Sequence, residues 1–533
     1  MPTHRNPDTT QAWLIGSGVA SLSAAVHLIR EAKVPPGNIH IVDVHPSTGG
    51  GIRSCGNAEN GYMLYTGCLP YFHDRCVEDF LSLVPSKQDP KTSLLESIKE
   101  YDVLSRPQRS AITRLLKQGK NGPQRVDASD LQIGPRYRME LIKVMLESEK
   151  SLGAARIDEY FDEHFFKTNF WSLWSTTFAL QPWHSILELR RCLRKHLGDI
   201  EDLNNVRALD RTKYTIYESI IMPVTQYLKD QGVDFHFNAR VSRLEMDPES
   251  QQTTVAKIVM QVEKEDKVVE VGSEDIVMVT LGSPNSGSQV GSNLEAPDQF
   301  PEKSDELIDN DWALWIDLMH KSPSFGDPKH FTQNPHHTAI ESFTITLKDS
   351  DFIKQYERAT GDSAGAGALL SFTDSNWGLS ISVPHQPLCA NQPPDVAVIW
   401  GYGLHPDETG NFVPKPMCRC SGREIATEVF SHLGFSLDDL LSRSNTVPCL
   451  MPLATAPMLP RGPDHRPRVI PPQTKNLAVL GQYVEIAEDT TLNMEYSVRS
   501  AQMAVYSTMG LNKSPPKTRR HLLLNVLDLL GGV

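Results

Sequence analysis

The feature that most limits the fold lies within residues 13–51. Trp13-Leu-Ile-Gly16 is a short apolar strand that runs into glycine, and Val19 to Arg30 carries the small and aliphatic residues of a helix packed closely on a sheet. Ile39-His-Ile-Val-Asp43 supplies a second strand. Strand, glycine turn, helix and strand in so short a span make one βαβ unit with a right-handed crossover. In Gly16-Ser-Gly18-Val-Ala-Ser21, Gly16 permits the tight turn and Gly18 lets the helix amides approach a pyrophosphate. Ser21, in the third glycine position, is still small enough for close helix–sheet contact. Asp43 ends the second strand, where a carboxylate can accept from ribose hydroxyls. Gly49, Gly50 and Gly51 form a turn that lets backbone pass against the adenosine half of a dinucleotide, with a plain flexible loop as the alternative.

Two later apolar runs have the same form, Ile276-Val-Met-Val-Thr280 before Gly282 and Leu477-Ala-Val-Leu480 before Gly481. A strand ending in glycine lets backbone approach a cofactor, so both are expected in the sheet that Trp13 begins. Gly232 to Phe237 reads as strand and turn beside them. The expected class is α/β, with a discontinuous Rossmann-type domain over 9–110, 205–285 and 440–510, a helical, aromatic-rich lobe over 111–204, a substrate domain over 286–439 and a tail over 511–533. The stretch from Ser283 to Asp305 is rich in Gly, Ser, Pro and acids and reads as a loop at a domain boundary. In the helical lobe, Phe165, Phe166, Phe170, Trp171, Trp174, Phe178 and Trp183 either pack helices together or line a substrate tunnel. After Arg519 and Arg520, the apolar residues to Leu530 suggest a short helix packed on the body. A membrane-surface or dimer contact is the alternative.

A chain of 533 residues exceeds one ordinary core, and 39% hydrophobic with 22% charged residues suits a globular enzyme. The net charge of -13 opposes attraction to nucleic-acid phosphates, so nucleic acid is not an expected partner. The first residues lack a secretory signal and no apolar run reaches bilayer length, so a cytosolic protein is expected. The eight cysteines lack paired CxxC spacing, and Cys418 and Cys420 form a lone CxC without a nearby histidine. They read as reduced thiols, and no metal site is expected.

Several ordered stretches resemble the oleate hydratase (myosin-cross-reactive antigen) family: GSGVASLSAAVHLI at Gly16, GNAENGY at Gly56, FFKTNFWSLW at Phe165, PWHS at Pro182, KYTIYES at Lys213, DSNW at Asp374, TVPCLMP at Thr446 and EYSVRSA at Glu495. The match runs over about residues 12 to 510. The resemblance implies FAD, which the fingerprint alone does not distinguish from NAD. It also implies long-chain unsaturated substrates, and addition of water across an isolated double bond with no net change in the flavin. An alkene is a poor base, so such chemistry needs a well-placed proton donor and a water-activating group.

Against this pattern, the family's loop glutamate falls on Leu69 and its helical tyrosine on Cys192. The family's carboxylate clamp falls on Ile216 and on Ser382-Val-Pro384-His-Gln-Pro-Leu388, where only Ser382 keeps a hydroxyl. An unpaired buried carboxylate costs several kcal/mol, so a free fatty acid is expected to bind badly in the usual pose. Tyr71 and Asp74 are the loop's candidates for a relocated acid. His73 matches a family histidine and serves either catalysis or loop anchoring.

The leading expectation is therefore an FAD-dependent enzyme that isomerises, cyclises or hydrates a double bond in an apolar polyene, terpenoid or polyketide. Three alternatives stand beside it: a fatty-acid hydratase with a relocated acid, a flavin oxidoreductase, and a non-catalytic FAD- or lipid-binding protein. Serine hydrolysis gains no support, since no Gly-x-Ser-x-Gly elbow follows a strand.

Overall fold

The computed structural model describes residues 5–65, 71–72, 74–106, 111–199, 209–298, 310–348, 351–367, 369–491 and 493–518, together with 526 and 529. Five strands make one parallel sheet in the order Leu477–Leu480, Ile276–Thr280, Ala12–Ile15, Ile39–Val42, Asp234–His236. Parallel strands are covered on both faces, which suits continuous apolar runs; every residue of Ala12–Ile15 and Leu477–Leu480 is buried. The two distant glycine-ended segments thus join this sheet on one side of the N-terminal strand, Ile276–Thr280 beside it and Leu477–Leu480 next, as their sequence suggests. Successive strands leave Ala12–Ile15 first toward Ile39–Val42 and later toward Ile276–Thr280. The strand order reverses there, at the carboxyl edge where open α/β sheets hold their ligands.

The Val19–Arg30 helix packs along the Met494–Thr508 helix. Tyr506, near the end of one, donates to Glu31, just past the end of the other, at 2.7 Å. The two helices therefore run in the same direction and open their N-terminal ends at the carboxyl edge of the sheet.

A second, eight-stranded sheet has the order Gln289–Val290, Ser444–Met451, Ile340–Leu347, Ala397–Gly403, Leu379–Ser382, Leu370–Phe372, Leu115–Gly119, Gly122–Val126. The stretch read from sequence as a loop supplies its edge: Gln289 and Val290 pair with Leu450 and Cys449. The hairpin of Ser54–Asn57 and Gly61–Leu64 lies over this sheet, Tyr62 and Leu64 donating their amides to Thr346 and Thr344 side chains at 2.9 and 3.1 Å. A small antiparallel sheet, Ala239–Met246, Val255–Val262 and Glu265–Glu270, lies beside the parallel sheet, Ala239–Met246 touching Ile39–Val42.

In the helical lobe, Thr168 caps the Asn169–Phe178 helix by accepting from Trp171 N. Phe165, Phe170, Trp171, Trp174 and Phe178 are buried in one cluster with Cys192. Mutual helix packing accounts for these rings. Trp183 is half-buried apart from that cluster, its indole donating to His337 O at 2.9 Å. In the tail, Val526 and Leu529 pack on the same lobe, and Arg138 donates to Leu529 O at 3.0 Å. Among the described residues, no helix is long and apolar enough to cross a membrane.

Candidate functional site

Three loops meet at the carboxyl edge of the parallel sheet. Gly18 caps the Val19–Arg30 helix, and no side chain satisfies that helix end. Gly49 donates to Ser17 O at 3.0 Å, and a side chain on Gly50 would come within 3.3 Å of Gly18 Cα. Asn285 donates to Gly51 O at 3.2 Å. The two glycine turns are therefore stacked on one another, and the close approach at Gly49, with φ +113°, leaves no room for a side chain beside the Tyr217 ring. At Gly18, by contrast, a Cβ would meet nothing within 4 Å. Free space beside uncapped helix amides fits a diphosphate.

Other residues shape this cradle without facing open space. Ser21 Oγ lies 3.2 Å from Thr280 Oγ1, which ties the helix to the neighbouring strand. A side chain on Gly282 would strike Tyr483 and Trp312, and Gly481 donates its amide to Ser500 Oγ at 3.1 Å. Asp43 accepts from Ser17 N at 2.7 Å, Ser17 Oγ at 2.6 Å and His45 N at 2.8 Å. Its carboxylate thus fixes the first glycine turn.

At the same edge, the N-terminal end of the Met494–Thr508 helix carries a buried charged cluster that sequence reading missed. Lys195 pairs with Glu495 and, at 2.8 Å, with Asp489; Arg499 pairs with Asp489 at 2.7 Å and with Asp74 at 3.5 Å. Three carboxylates face two cations, so the cluster holds one more acid than it can neutralise. Burial is the largest influence on Glu495 and raises its carboxyl above the usual range; Lys195 opposes this while Asp74 and Asp489 reinforce it. Glu495 Oε2 has no hydrogen-bond partner among the described residues. Asp489 goes the other way, Lys195 and Arg499 overcoming its burial. Lys195 lies one turn beyond Cys192 on the Ile186–His196 helix, and Cys192 Sγ reaches Thr490 Oγ1 at 3.4 Å. Burial pushes the Cys192 thiol up to about 12, so it is neutral.

Of the loop residues proposed from sequence, Leu69 and His73 lie outside the described residues, as does the side chain of Tyr71, whose backbone pairs with Asp210. Asp74 caps the Arg75–Ser82 helix by accepting from Cys76 N at 2.8 Å. Arg499 lies 3.5 Å from its other oxygen.

The expected clamp positions converge. Thr215 N donates to Leu388 O at 3.0 Å, which sets Ile216 beside Leu388, and Lys213 O lies 2.9 Å from His385 Nε2. Pro384 is buried in the connecting loop, and Ser382 is buried on the strand that leads into it. Ser380 and Ser382 share one face of that strand. There Ser380 Oγ is 2.7 Å from Ser371 Oγ, which accepts from Arg114 Nη1 at 2.7 Å. Arg114 Nη2 donates to Thr176 and Thr177 hydroxyls at 3.0 and 3.1 Å. Arg114 is buried, and no carboxylate among the described residues pairs with it; desolvation pulls its pKa down to about 10.

A cleft of about 1350 Å³ runs from Lys475 and Leu477, at the amino end of their strand, to Glu485 and Ala487, past its carboxyl end. Its wall includes Arg191, Arg461 and Glu485, with Glu485 at 2.5 Å from Arg191 and 3.1 Å from Arg461. Burial opposes ionisation of Glu485, but the guanidinium groups override it and hold the carboxyl at about 2. The depressed value means that this contribution to stability is complete above the ordinary glutamate range, near pH 4.3, and is lost as pH falls toward about 2. Acid titration followed by circular dichroism is expected to show Glu485→Gln losing less stability than the parent across that window.

The MCRA family model matches residues 9–506. The chain is 33% identical to the oleate hydratase of Streptococcus pyogenes, covering 97% of this chain and 88% of that protein. It is 30% identical to the linoleate hydratase of Lactiplantibacillus plantarum, covering 94% of each. Among solved structures, a putrescine oxidase redesigned in cofactor binding superposes with TM-score 0.53 at 11% identity, covering 94% of this chain and 99% of its own. An oxidoreductase from Methanosarcina mazei gives 0.50 at 12%, covering 94% and 100%. The two structures share the fold, and the sequence matches extend over nearly the whole chain: it belongs to the MCRA family, that of the oleate hydratases.

Proposed function

We propose that the protein is a flavin-dependent hydratase that adds water across an isolated double bond of a long-chain unsaturated fatty acid, with Glu495 as proton donor. The observation that carries this reading is a buried carboxyl, pushed toward its protonated form and paired with Lys195, which lies one helical turn from the cysteine that replaces the expected tyrosine. Protonating an alkene requires an acid that still holds its proton near neutral pH. Glu495 would give that proton to one alkene carbon while water bonds to the other, and the proton that the water loses would restore the carboxyl. Lys195 and Arg499 hold the Asp489 carboxyl below its usual range and keep the cluster ordered. FAD would lie with its diphosphate against Gly18 and the amides of the Val19–Arg30 helix. When bound it would supply a planar ring system that organises the reaction space without net redox change.

The names of the two hydratase relatives favour a fatty acid over the terpenoid or polyketide expected from the lost clamp. Arg114 answers the objection that a carboxylate has no partner. A buried guanidinium held only by hydroxyls bears a large desolvation cost that an incoming carboxylate would offset. Oleate or linoleate incubated with the FAD-loaded protein is expected to give a product heavier by one water in mass spectrometry. A product isomeric with its precursor would instead select isomerisation or cyclisation, and bleaching of the flavin without added reductant would select an oxidoreductase.

Arg114→Met is expected to raise KM for the free acid by about tenfold to a hundredfold, the worth of a charged hydrogen-bond set, with little change for the methyl ester. Equal losses on both substrates would mean that Arg114 only supports the fold.

A further inference from the structure

We propose that His40, Asp234 and His236 form a binding site for a divalent metal ion of the zinc class, at the outer edge of the parallel sheet. Among the described residues these side chains offer three ligand atoms that all lie within 4.8 Å of one another. His40 Nδ1 is 3.0 Å and His236 Nε2 is 2.8 Å from the same oxygen, Asp234 Oδ2. A tetrahedral ion with bonds of about 2.0–2.1 Å spaces its ligand atoms by about 3.3 Å, so little movement is needed to admit one.

The site is built by strand register. His40 faces Asp234 across two parallel strands, and His236 lies two residues further along the same strand as Asp234, hence on the same face. The surroundings orient the ligands. Trp13 stacks on His40 with ring centroids 4.1 Å apart and an angle of 15°, fixing the plane of that imidazole. Gln11 Oε1 lies 3.0 Å from His40 Nε2. An amide oxygen can only accept, so Nε2 carries a proton, and Nδ1 is the nitrogen left to ligate. His236 Nε2 is buried and, despite its nearness to Asp234, makes no hydrogen bond among the described residues. Two imidazoles and one carboxylate suit borderline first-row ions such as Zn²⁺, Ni²⁺ or Co²⁺, with water completing the coordination.

An ion here would join the edge strand Asp234–His236 to its neighbour Ile39–Val42. The consequence reaches the nucleotide cradle, because Asp43 N donates to His236 O at 2.9 Å. The inference stands independently of the proposed hydratase chemistry.

Tag-free, FAD-loaded full-length protein titrated calorimetrically with ZnCl2 is expected to take up one Zn²⁺ at this site. His236→Gln and His40→Gln should each weaken that uptake at least about tenfold. NiCl2 should quench tryptophan emission, and Trp13→Phe should remove most of the quenching while Zn²⁺ uptake persists. Unchanged flavin absorbance and melting temperature in the metal-free histidine variants would show that they fold. Absence of Zn²⁺ uptake by the parent protein, or uptake equal in the two histidine variants and the parent, overturns the site.

Discussion

Glu495→Gln is expected to lower kcat for hydration of oleate by about two to four orders of magnitude, the usual worth of a positioned acid, while KM and bound flavin stay near the parent values. Glutamine has the volume of glutamate and can still accept from Lys195, so the packing of this fully buried position is preserved. It cannot donate a proton to carbon. In the parent protein, kcat should fall on the alkaline side as Glu495 loses the proton that burial and its two neighbouring carboxylates help it keep. That limb should be missing from whatever rate the variant retains. Glu495→Asp, with its carboxyl withdrawn by one methylene, should recover a small part of the activity. A variant as active as the parent would remove Glu495 from the chemistry, and one that loses flavin in step with activity would make it a cofactor-holding residue. A second readout separates this from loss of the ion pair alone. Lys195→Met also breaks the pair, but it leaves Glu495 even harder to ionise, so its alkaline limit should move to higher pH.

The nucleotide half of the molecule is legible because its strands are short and parallel, and Ala12–Ile15, Ile276–Thr280 and Leu477–Leu480 are apolar runs that end at or next to a glycine. Nothing comparable marks the eight-stranded sheet. Leu370–Phe372 has three residues, and it lies parallel to Leu115–Gly119, a partner some 250 positions away in the chain. Such pairings depend on tertiary contacts that no local pattern encodes. Glu495 is the first letter of a family stretch, yet the acid role proposed for it rests on Lys195 from another helix and on complete burial. Asp74 was chosen as an acid because it stood near the missing glutamate. Its two oxygens are taken by a helix cap and by Arg499. Arg114 sits in no motif, and its meaning comes from Ser371, Thr176 and Thr177 on two other elements. Sequence marks a polar-to-apolar change at Ile216 and Leu388, but it does not show that the Arg114 guanidinium joins Ser371 and Ser380 on the strand that carries Ser382.

Gly18→Val is expected to give a folded protein that binds FAD at least about a hundredfold more weakly, a loss of about 2.8 kcal/mol. The two halves of that expectation have separate causes. Gly18 has φ −72° and ψ 179°, an extended conformation open to any residue, and a Cβ there touches no protein atom within 4 Å. The native backbone therefore accepts valine, and the melting temperature of the apoprotein should shift little. The isopropyl group would instead fill the space beside the uncapped amides of the Val19–Arg30 helix, where a diphosphate must approach to use the helix dipole. Gly49→Ala provides the contrast. At φ +113°, with a Cβ only 2.9 Å from the Tyr217 ring, alanine strains the turn whether or not a nucleotide is bound. It should lower the melting temperature of apoprotein and holoprotein alike. Flavin titrations and thermal unfolding of both variants thus separate a cradle that receives a ligand from a turn that merely has to be tight. If Gly18→Val retains FAD with parental affinity, the diphosphate does not lie against this helix, and the assignment of the cradle fails together with the role given to its neighbouring glycine turn.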